Sequence, residues 1–181
     1  MKLTRSPFIF LRHGETEANA QSIIAGRTDS PLSNHGRSQA RLAAEQLRQT
    51  SWSRVVCSAL SRTGDTARLA APGCDPVIDS RLNERDWGDL EGQPLDQLVP
   101  YKSTPPGGEP WESFERRVTE ALNKWLEEEG QALVVGHSGV YRVVCQHIFG
   151  RPEGPRIANA APVLIQPQGS GWTITDLGKT S

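Results

Sequence analysis

Short apolar segments alternate along this chain with longer segments of helical periodicity. Phe8–Leu11 and Ala132–Val135 are apolar at every position, which is typical of strands in a sheet covered on both faces. The segment from about Trp111 to Glu128 has apolar residues at helical spacing and is followed by Gly130, as expected for a helix that ends at a glycine. Strands that alternate with helices favour a mostly parallel sheet with helices on both faces. We therefore predict an α/β fold with three layers, α/β/α.

The remaining predicted elements follow from the same periodicities. Helices are expected at His35–Gln49, Arg62–Ala70 and Val140–Phe149, strands at Arg54–Cys57 and Val77–Asp79, and a closing hairpin at Val163–Gln166 and Trp172–Thr175. The 181 residues contain no internal repeat or low-complexity linker, so one domain spanning residues 1–181 is expected. The strongest loop signal, Pro105-Pro106-Gly107-Gly108, is too short to separate two domains.

Charge and cysteine content narrow the classes of partner. The 20 Lys and Arg residues nearly balance the 21 Asp and Glu residues, and a net charge of -1 gives no electrostatic reason to expect nucleic acid or an acidic membrane. No apolar segment is long enough to span a membrane. Cys57, Cys74 and Cys145 are far apart, which argues against a disulfide framework or a zinc knuckle and fits a reducing cytosol. We expect a cytoplasmic protein, and the sequence carries no signal for its oligomeric state.

Polar side chains follow the predicted strands at the point where each strand ends. Arg12 and His13 come directly after the first strand, and Arg62 follows the second by a few residues. Glu84 follows the short third strand, and His137 follows the fourth. Ligands of open α/β sheets bind outside the carboxyl ends of the strands. We therefore expect these five side chains to converge on one edge of the sheet.

These residue types suit phosphoryl transfer. Arg12 and Arg62 can bind a phosphate dianion through bidentate hydrogen bonds. A neutral histidine is a nucleophile near pH 7, and a second, protonated histidine could stabilise charge on the phosphoryl oxygens. Glu84 could protonate the departing alkoxide and then accept a proton from the attacking water. Ser138 and the amides after it begin a predicted helix, where an anion can be bound.

Five short segments occur in order along nearly the whole chain. They are Leu11–Asn19, Gly26–Ser33 with Gly36, Ser58–Arg62 with Thr66 and Ala67, Leu82–Glu84 with Gly88, Glu91 and Gly92, and Val134–Gly139. Together they resemble the motifs of the histidine phosphatase superfamily, in its phosphoglycerate mutase-like branch. A single tripeptide would be weak evidence, but five motifs in register are strong evidence.

The resemblance implies a role for each matching residue. It implies that His13 is the nucleophile and that Arg12, Arg62 and His137 complete the phosphate pocket. It also implies that Glu84 is the proton donor. The expected site contains no metal and no cofactor, because the sequence has no clustered Asp and His residues for a two-metal phosphatase.

Several positions leave alternatives open. The resemblance suggests that Asn19 and Thr28 contact the phosphate or the substrate, and Ser138 stands where many members have glycine. Ala18 stands where many have an aromatic residue, so the shape of the substrate site is expected to differ from theirs. Two further nearby acids, Glu91 and Glu109, are alternatives to Glu84 as the proton donor.

Two rival nucleophile motifs are incomplete in this sequence. Cys57 and Arg62 are separated by four residues, whereas the loop of cysteine phosphatases needs five. The segment Gly136–Val140 approaches the GxSxG motif of serine hydrolases but ends in valine. Cys57 is therefore expected to pack in a strand.

The predicted activity is hydrolysis of a small phosphorylated metabolite, a phosphomonoester, through phosphohistidine. One alternative is a cofactor-dependent phosphoglycerate mutase, which needs long segments that keep water from the intermediate. The short stretch between Glu84 and His137 favours an open site and hydrolysis. A second alternative is a phospholigand-binding module without turnover. The length and the Pro106–Glu109 segment look similar to alpha-ribazole phosphatase-like members, and specificity is expected to depend on Ile23–Arg27 and Gln93–Pro110.

Overall fold

A six-stranded sheet forms the centre of the computed structural model, which describes residues 1–154 and 156–178. The strand order is β3-β2-β4-β1-β5-β6. The strands are β1 (Phe8–Arg12), β2 (Arg54–Cys57), β3 (Val77–Ile78), β4 (Ala132–Gly136), β5 (Pro162–Gln168) and β6 (Gly171–Asp176). The first four are mutually parallel, whereas β5 and β6 form an antiparallel hairpin at one edge. The predicted mostly parallel sheet is therefore confirmed.

Helices cover both faces of this sheet. They are α1 (Glu17–Ala20), α2 (Asn34–Leu47), α3 (Ser61–Ala70), α4 (Trp111–Glu127) and α5 (Ser138–Phe149). Along β1, Phe8 and Phe10 pack in one hydrophobic cluster with residues of α4 and α5. The alternate residues, Ile9 and Leu11, pack in a second cluster with residues of α2 and α3. This alternation explains why β1 is apolar at every position, and it confirms the three layers.

Residues 79–110 connect β3 to α4 with little regular structure. They contain three 3-10 turns, Ser80–Leu82, Gly88–Leu90 and Leu95–Gln97. An antiparallel bridge pairs Ile23 with Pro94, and the Ile24 amide donates to the Gln93 carbonyl at 2.8 Å. This connection therefore packs against the loop that follows α1, above the carboxyl ends of the parallel strands. Within the described residues, no helix is long and apolar enough to cross a membrane.

Candidate active site

His13 lies directly after β1 and is only 5% exposed. Its backbone amide donates to the Gly136 carbonyl at 3.0 Å, so the end of β4 fixes its position. The Nδ1 atom lies 2.7 Å from the Gly14 carbonyl oxygen, which can only accept a hydrogen bond. Nδ1 therefore carries the proton, and Nε2 retains a free lone pair. Gly14 itself lies directly against α2, where a Cβ would collide with the backbone of Gly36.

His137 lies directly after β4 and faces His13. The centroids of the two rings are 5.3 Å apart, with an angle of 61° between the planes. Nδ1 of His137 accepts from Nε of Arg62 at 3.4 Å, and Nε2 lies 2.8 Å from the Ser58 hydroxyl. An Nδ1 that accepts a hydrogen bond carries no proton, so the ring is neutral with its proton on Nε2. The sequence had suggested a protonated second histidine, and this arrangement holds the neutral form instead.

The surroundings of both histidines favour the neutral imidazole over the imidazolium. Burial and then the nearby Arg62 and Arg12 guanidinium groups lower the pKa of His13 well below 6.5. Burial and then Arg62, His13 and Arg12 do the same to the pKa of His137. The physical causes are the loss of hydration of an imidazolium and its repulsion by fixed positive charge. A His13 kept neutral keeps its Nε2 lone pair available for attack on phosphorus.

The depressed pKa values of His13 and His137 should make the fold less stable in acid. Below pH 6.5 the unfolded chain binds protons at these residues and the folded chain does not, so the unfolding free energy falls as pH falls. Two such groups give a limiting slope of up to about 3 kcal/mol per pH unit, reached once both histidines of the unfolded chain are fully protonated. Urea titrations between pH 7.5 and pH 5 would measure it. The slope should drop by about half in either His13→Gln or His137→Gln, and an unchanged slope would contradict the assignment.

Arg12 ends β1 and reaches into the cavity beside His13. Nη1 of Arg12 donates a hydrogen bond to the Ile157 carbonyl at 3.0 Å. The buried Nε has no hydrogen-bond partner among the described residues. A buried N–H donor without a partner is costly, so a ligand oxygen at this position would be stabilised.

Arg62 is almost fully buried beside His137 and binds the loop that follows α1. Its Nη1 donates to the Thr28 carbonyl at 2.9 Å, and its Nη2 donates to the Gly26 carbonyl at 2.6 Å. Nη1 also lies 3.5 Å from a carboxylate oxygen of Asp29. The guanidinium fork thus binds backbone carbonyls in this structure, and the bidentate phosphate contact of Arg62 stays a prediction.

Thr28 is turned to Glu91 instead of the cavity. Its hydroxyl donates to the Glu91 carboxylate, and its amide donates to the same carboxylate at 2.7 Å. The amides of Arg27 and Trp87 donate to that carboxylate as well, at 2.7 and 3.2 Å. The contact of Thr28 with phosphate or substrate stays a prediction, and Thr28 is not among the described residues that line the cavity. Glu91 instead holds the loop after α1 against the segment before α4.

Glu84 is 7% exposed and lines the same cavity as Arg12 and His13. Its Oε2 accepts from the Gly139 amide at 2.9 Å, and its Oε1 accepts from the Arg85 amide at 2.8 Å. The Gly139 amide belongs to the first turn of α5, so the group bound at this helix terminus is the Glu84 carboxyl group itself. A Cβ at Gly139 would collide with Oε1 of Glu84, so only glycine leaves room for the carboxylate there.

The two alternative acids are engaged elsewhere. Glu91 accepts the four hydrogen bonds described above. Glu109 forms a bidentate ion pair with Arg117, at 2.7 and 2.8 Å. Of the three acids considered from the sequence, Glu84 is the one among the described lining residues.

A cavity of about 180 Å³ brings these groups together. Among the predicted residues it is lined by Arg12, His13, Asn19, Glu84 and Ser138. The sequence analysis did not name the remaining lining residues individually. They are Ile23, Ile24, Ala25, Trp87, Leu95, Leu98, Tyr101, Arg142 and Arg156. Most of them lie within the two segments expected to set specificity. The cavity therefore combines a cationic end with an apolar wall.

Arg142 and Arg156 are the missed residues with charged side chains. Arg142 lies one helical turn after Ser138 in α5, and residues at this spacing share one face of a helix. That spacing was the available signal for Arg142. Arg156 lies in the irregular segment before β5, where no periodicity could have placed it.

Comparisons with known proteins identify the family of this chain. The profile of the histidine phosphatase superfamily (branch 1) matches residues 8–180. The chain belongs to this superfamily. The resemblance seen in the five sequence motifs is thereby confirmed. Members of the superfamily are phosphatases or mutases, so membership supports phosphatase or phosphotransferase activity.

Some similar proteins are named as mutases and others as phosphatases. The "Probable phosphoglycerate mutase GpmB" of Salmonella choleraesuis (strain SC-B67) is 33% identical over an alignment that covers 94% of this chain and 92% of that protein. The alpha-ribazole phosphatase from Shigella flexneri is similar in structure, with a TM-score of 0.80, 25% identity and 96% of both chains covered. YhfR from Bacillus stearothermophilus has a TM-score of 0.84 at 25% identity, covering 97% of this chain and 98% of that chain.

Proposed function

We propose that this chain hydrolyses small phosphomonoesters through a phosphohistidine at His13. The observation that carries the proposal is the juxtaposition of a free Nε2 lone pair on His13 with the Glu84 carboxyl group in one cavity. Arg12, with an unpartnered buried donor, supplies the positive charge for the phosphoryl group at the same place.

The proposed reaction has two steps. Nε2 of His13 attacks phosphorus, the bond from phosphorus to the ester oxygen breaks, and protonated Glu84 gives its proton to that oxygen. The alcohol leaves and water takes its place. The Glu84 carboxylate then removes a proton from water, the water oxygen bonds to phosphorus, and the nitrogen–phosphorus bond breaks. Inorganic phosphate leaves, and both residues return to their starting states.

Trapping the intermediate tests this proposal. The enzyme would be mixed with a radiolabelled phosphomonoester and quenched during turnover. A phosphoramidate is labile in acid and stable in alkali, so label on His13 should show that behaviour. Label that survives acid would instead indicate a phosphoserine or an acyl-linked species and would refute the covalent step proposed here.

A mutase is the second candidate, because the relative from Salmonella choleraesuis is named as one. The open site expected from the sequence does not separate the candidates, since Leu95, Leu98 and Tyr101 of the segment before α4 form part of the cavity wall. Products decide between them. With a phosphoglycerate as substrate, a phosphatase releases inorganic phosphate, whereas a mutase returns the isomeric phosphoglycerate without net release. A binding module without turnover would give neither product.

The substrate class is a small phosphorylated metabolite, and alpha-ribazole 5′-phosphate is the first to test. Its motivation is the similarity to the alpha-ribazole phosphatase from Shigella flexneri, together with the apolar wall of the cavity. A panel of phosphorylated metabolites compared by kcat/KM would rank alpha-ribazole 5′-phosphate against sugar phosphates and phosphoglycerates. A higher kcat/KM for several other members of the panel would remove it as the preferred substrate.

Strong chelation should leave the rate of this enzyme within about twofold of its starting value, since Arg12 and the site's hydrogen-bond donors can supply the required positive charge. The described residues contain no group of three or more His, Cys, Asp or Glu side chains positioned for a metal ion. Assays before and after dialysis against EDTA would measure the effect, and vanadate should inhibit as a mimic of the five-coordinate transition state. A rate that collapses and returns with magnesium or zinc would contradict this prediction.

A further inference from the structure

One side chain, Arg117 of α4, binds three carbonyls of the backbone around Glu84. We propose that Arg117 is a positioning residue that sets the reach of the Glu84 carboxyl group toward the leaving oxygen. The inference rests on the proposed role of Glu84 as the proton donor, and it extends that role to a residue outside the cavity.

Arg117 makes three bonds to the chain around Glu84. Its Nη1 donates to the carbonyls of Arg81 at 2.7 Å and Asn83 at 2.8 Å, and its Nη2 donates to the carbonyl of Glu84 at 3.1 Å. Residues 83–87 are neither helix nor strand, so no backbone ladder fixes them. The three bonds from Arg117, together with those of Asp86 to Glu109 and of Trp87 to Glu91, provide the constraint that a strand or helix would otherwise provide, and Arg117 makes the one at the Glu84 carbonyl.

Glu109 holds Arg117 in the orientation that these bonds need. Nε and Nη2 of Arg117 donate to the two carboxylate oxygens of Glu109 at 2.7 and 2.8 Å. The guanidinium also stacks over the Phe114 ring, with Cζ 4.8 Å from its centroid. All five N–H groups of the guanidinium are thereby used, and their fork is planar and rigid. A lysine has one nitrogen and three rotatable donors, so it cannot make the same set of contacts.

Glu84 is therefore fixed at both ends. Its carboxylate is bound by the amides of Arg85 and Gly139, and its carbonyl is bound by Arg117. A shift of about 1 Å at a reacting group can reduce a rate by about 10²-fold. Loosening the backbone end should thus weaken proton donation while leaving in place Arg12 and His13, which lie at the end of β1 and directly after it.

The leaving group separates positioning from a general loss of stability. An alkyl phosphate needs a proton on its departing oxygen, whereas p-nitrophenolate leaves without one. Arg117→Lys should lower kcat/KM for an alkyl phosphate by about 10- to 100-fold and change cleavage of p-nitrophenyl phosphate much less. Inhibition by vanadate should stay within about threefold of the wild-type value, because the phosphate pocket is not part of this contact. Arg116→Lys, at the adjacent exposed position of the same helix, is the matched control and should change neither rate.

A double variant tests whether Arg117 acts through Glu84. When Glu84 is already replaced by glutamine, Arg117→Lys should cause no further fall in the ratio of alkyl to aryl rates. Should Arg117→Lys fail to fold, Glu109→Gln weakens the same contact from its other side and should lower the ratio in the same direction. Equal losses with both esters would show that Arg117 is only structural. If Glu84→Gln itself shows no dependence on the leaving group, the proposed proton donor is wrong, and that outcome is distinct from a failure of Arg117 alone.

Discussion

Replacing His13 by alanine should reduce kcat by on the order of 10⁴- to 10⁶-fold, with all phosphate label lost from the protein. The size of this effect follows from the geometry, since His13 is the residue whose Nε2 lone pair is free at the cavity. Its replacement removes the covalent step itself, whereas the neighbouring groups can only stabilise that step. Stopped assays with p-nitrophenyl phosphate and quenched labelling would measure both quantities.

Two other histidines serve as controls for this variant. His137→Ala should also be slow, but it should still accumulate label on His13, because its ring contacts Ser58 and Arg62 and lies behind the described lining residues. His35→Ala changes an exposed residue of α2 and should keep the wild-type rate. If His13→Ala still carries the phosphate label, or if only His137→Ala loses it, then His137 and not His13 is the nucleophile.

The sheet could be predicted from the sequence because its central strands are short, apolar and placed between clear helices. Two local features could not be predicted in this way. The four-residue helix α1 is stabilised by a capping box between Thr16 and Asn19, and four residues are too few for helical periodicity to show. Residues 79–110 are held by side chains that bind backbone carbonyls, and this mode of bonding has no sequence period.

In the candidate site, too, residues next to regular elements could be placed from the sequence, whereas contacts between irregular segments could not. His13 reaches the cavity because it directly follows β1, which fixes its place, whereas Glu84 is held there by the amides of Arg85 and Gly139. Sequence reasoning did not foresee the partners that Arg62 and Thr28 have in this structure, which are the carbonyls of a loop and the Glu91 carboxylate. Those partners depend on how two irregular segments pack together, which composition and spacing do not determine. Arg142, by contrast, follows from helical spacing once α5 is known.

Replacing Glu84 by glutamine should slow cleavage of an alkyl phosphate by about 10²- to 10⁴-fold while slowing the aryl ester much less. In the loose transition state of phosphoryl transfer, negative charge builds on the departing oxygen. An alkoxide needs a proton at that moment, and glutamine cannot supply one at its Oε position. The amide keeps the size of the carboxyl group, so the contact with the Gly139 amide can be retained through its oxygen. Rates for a series of esters with leaving groups of rising pKa would measure the dependence.

Glu84→Gln should also slow the second step of the reaction, the hydrolysis of phosphohistidine. Because the same carboxylate is the proposed base for water, Glu84→Gln should build up phosphohistidine when the aryl ester is the substrate. Glu91→Gln is the matched control, since its carboxylate binds the amides of Arg27, Thr28 and Trp87 and lies outside the described cavity lining. It should lower activity without a steeper dependence on the leaving group. If Glu84→Gln slows both esters equally and no label accumulates, Glu84 only shapes the pocket, and the proton must come from another group.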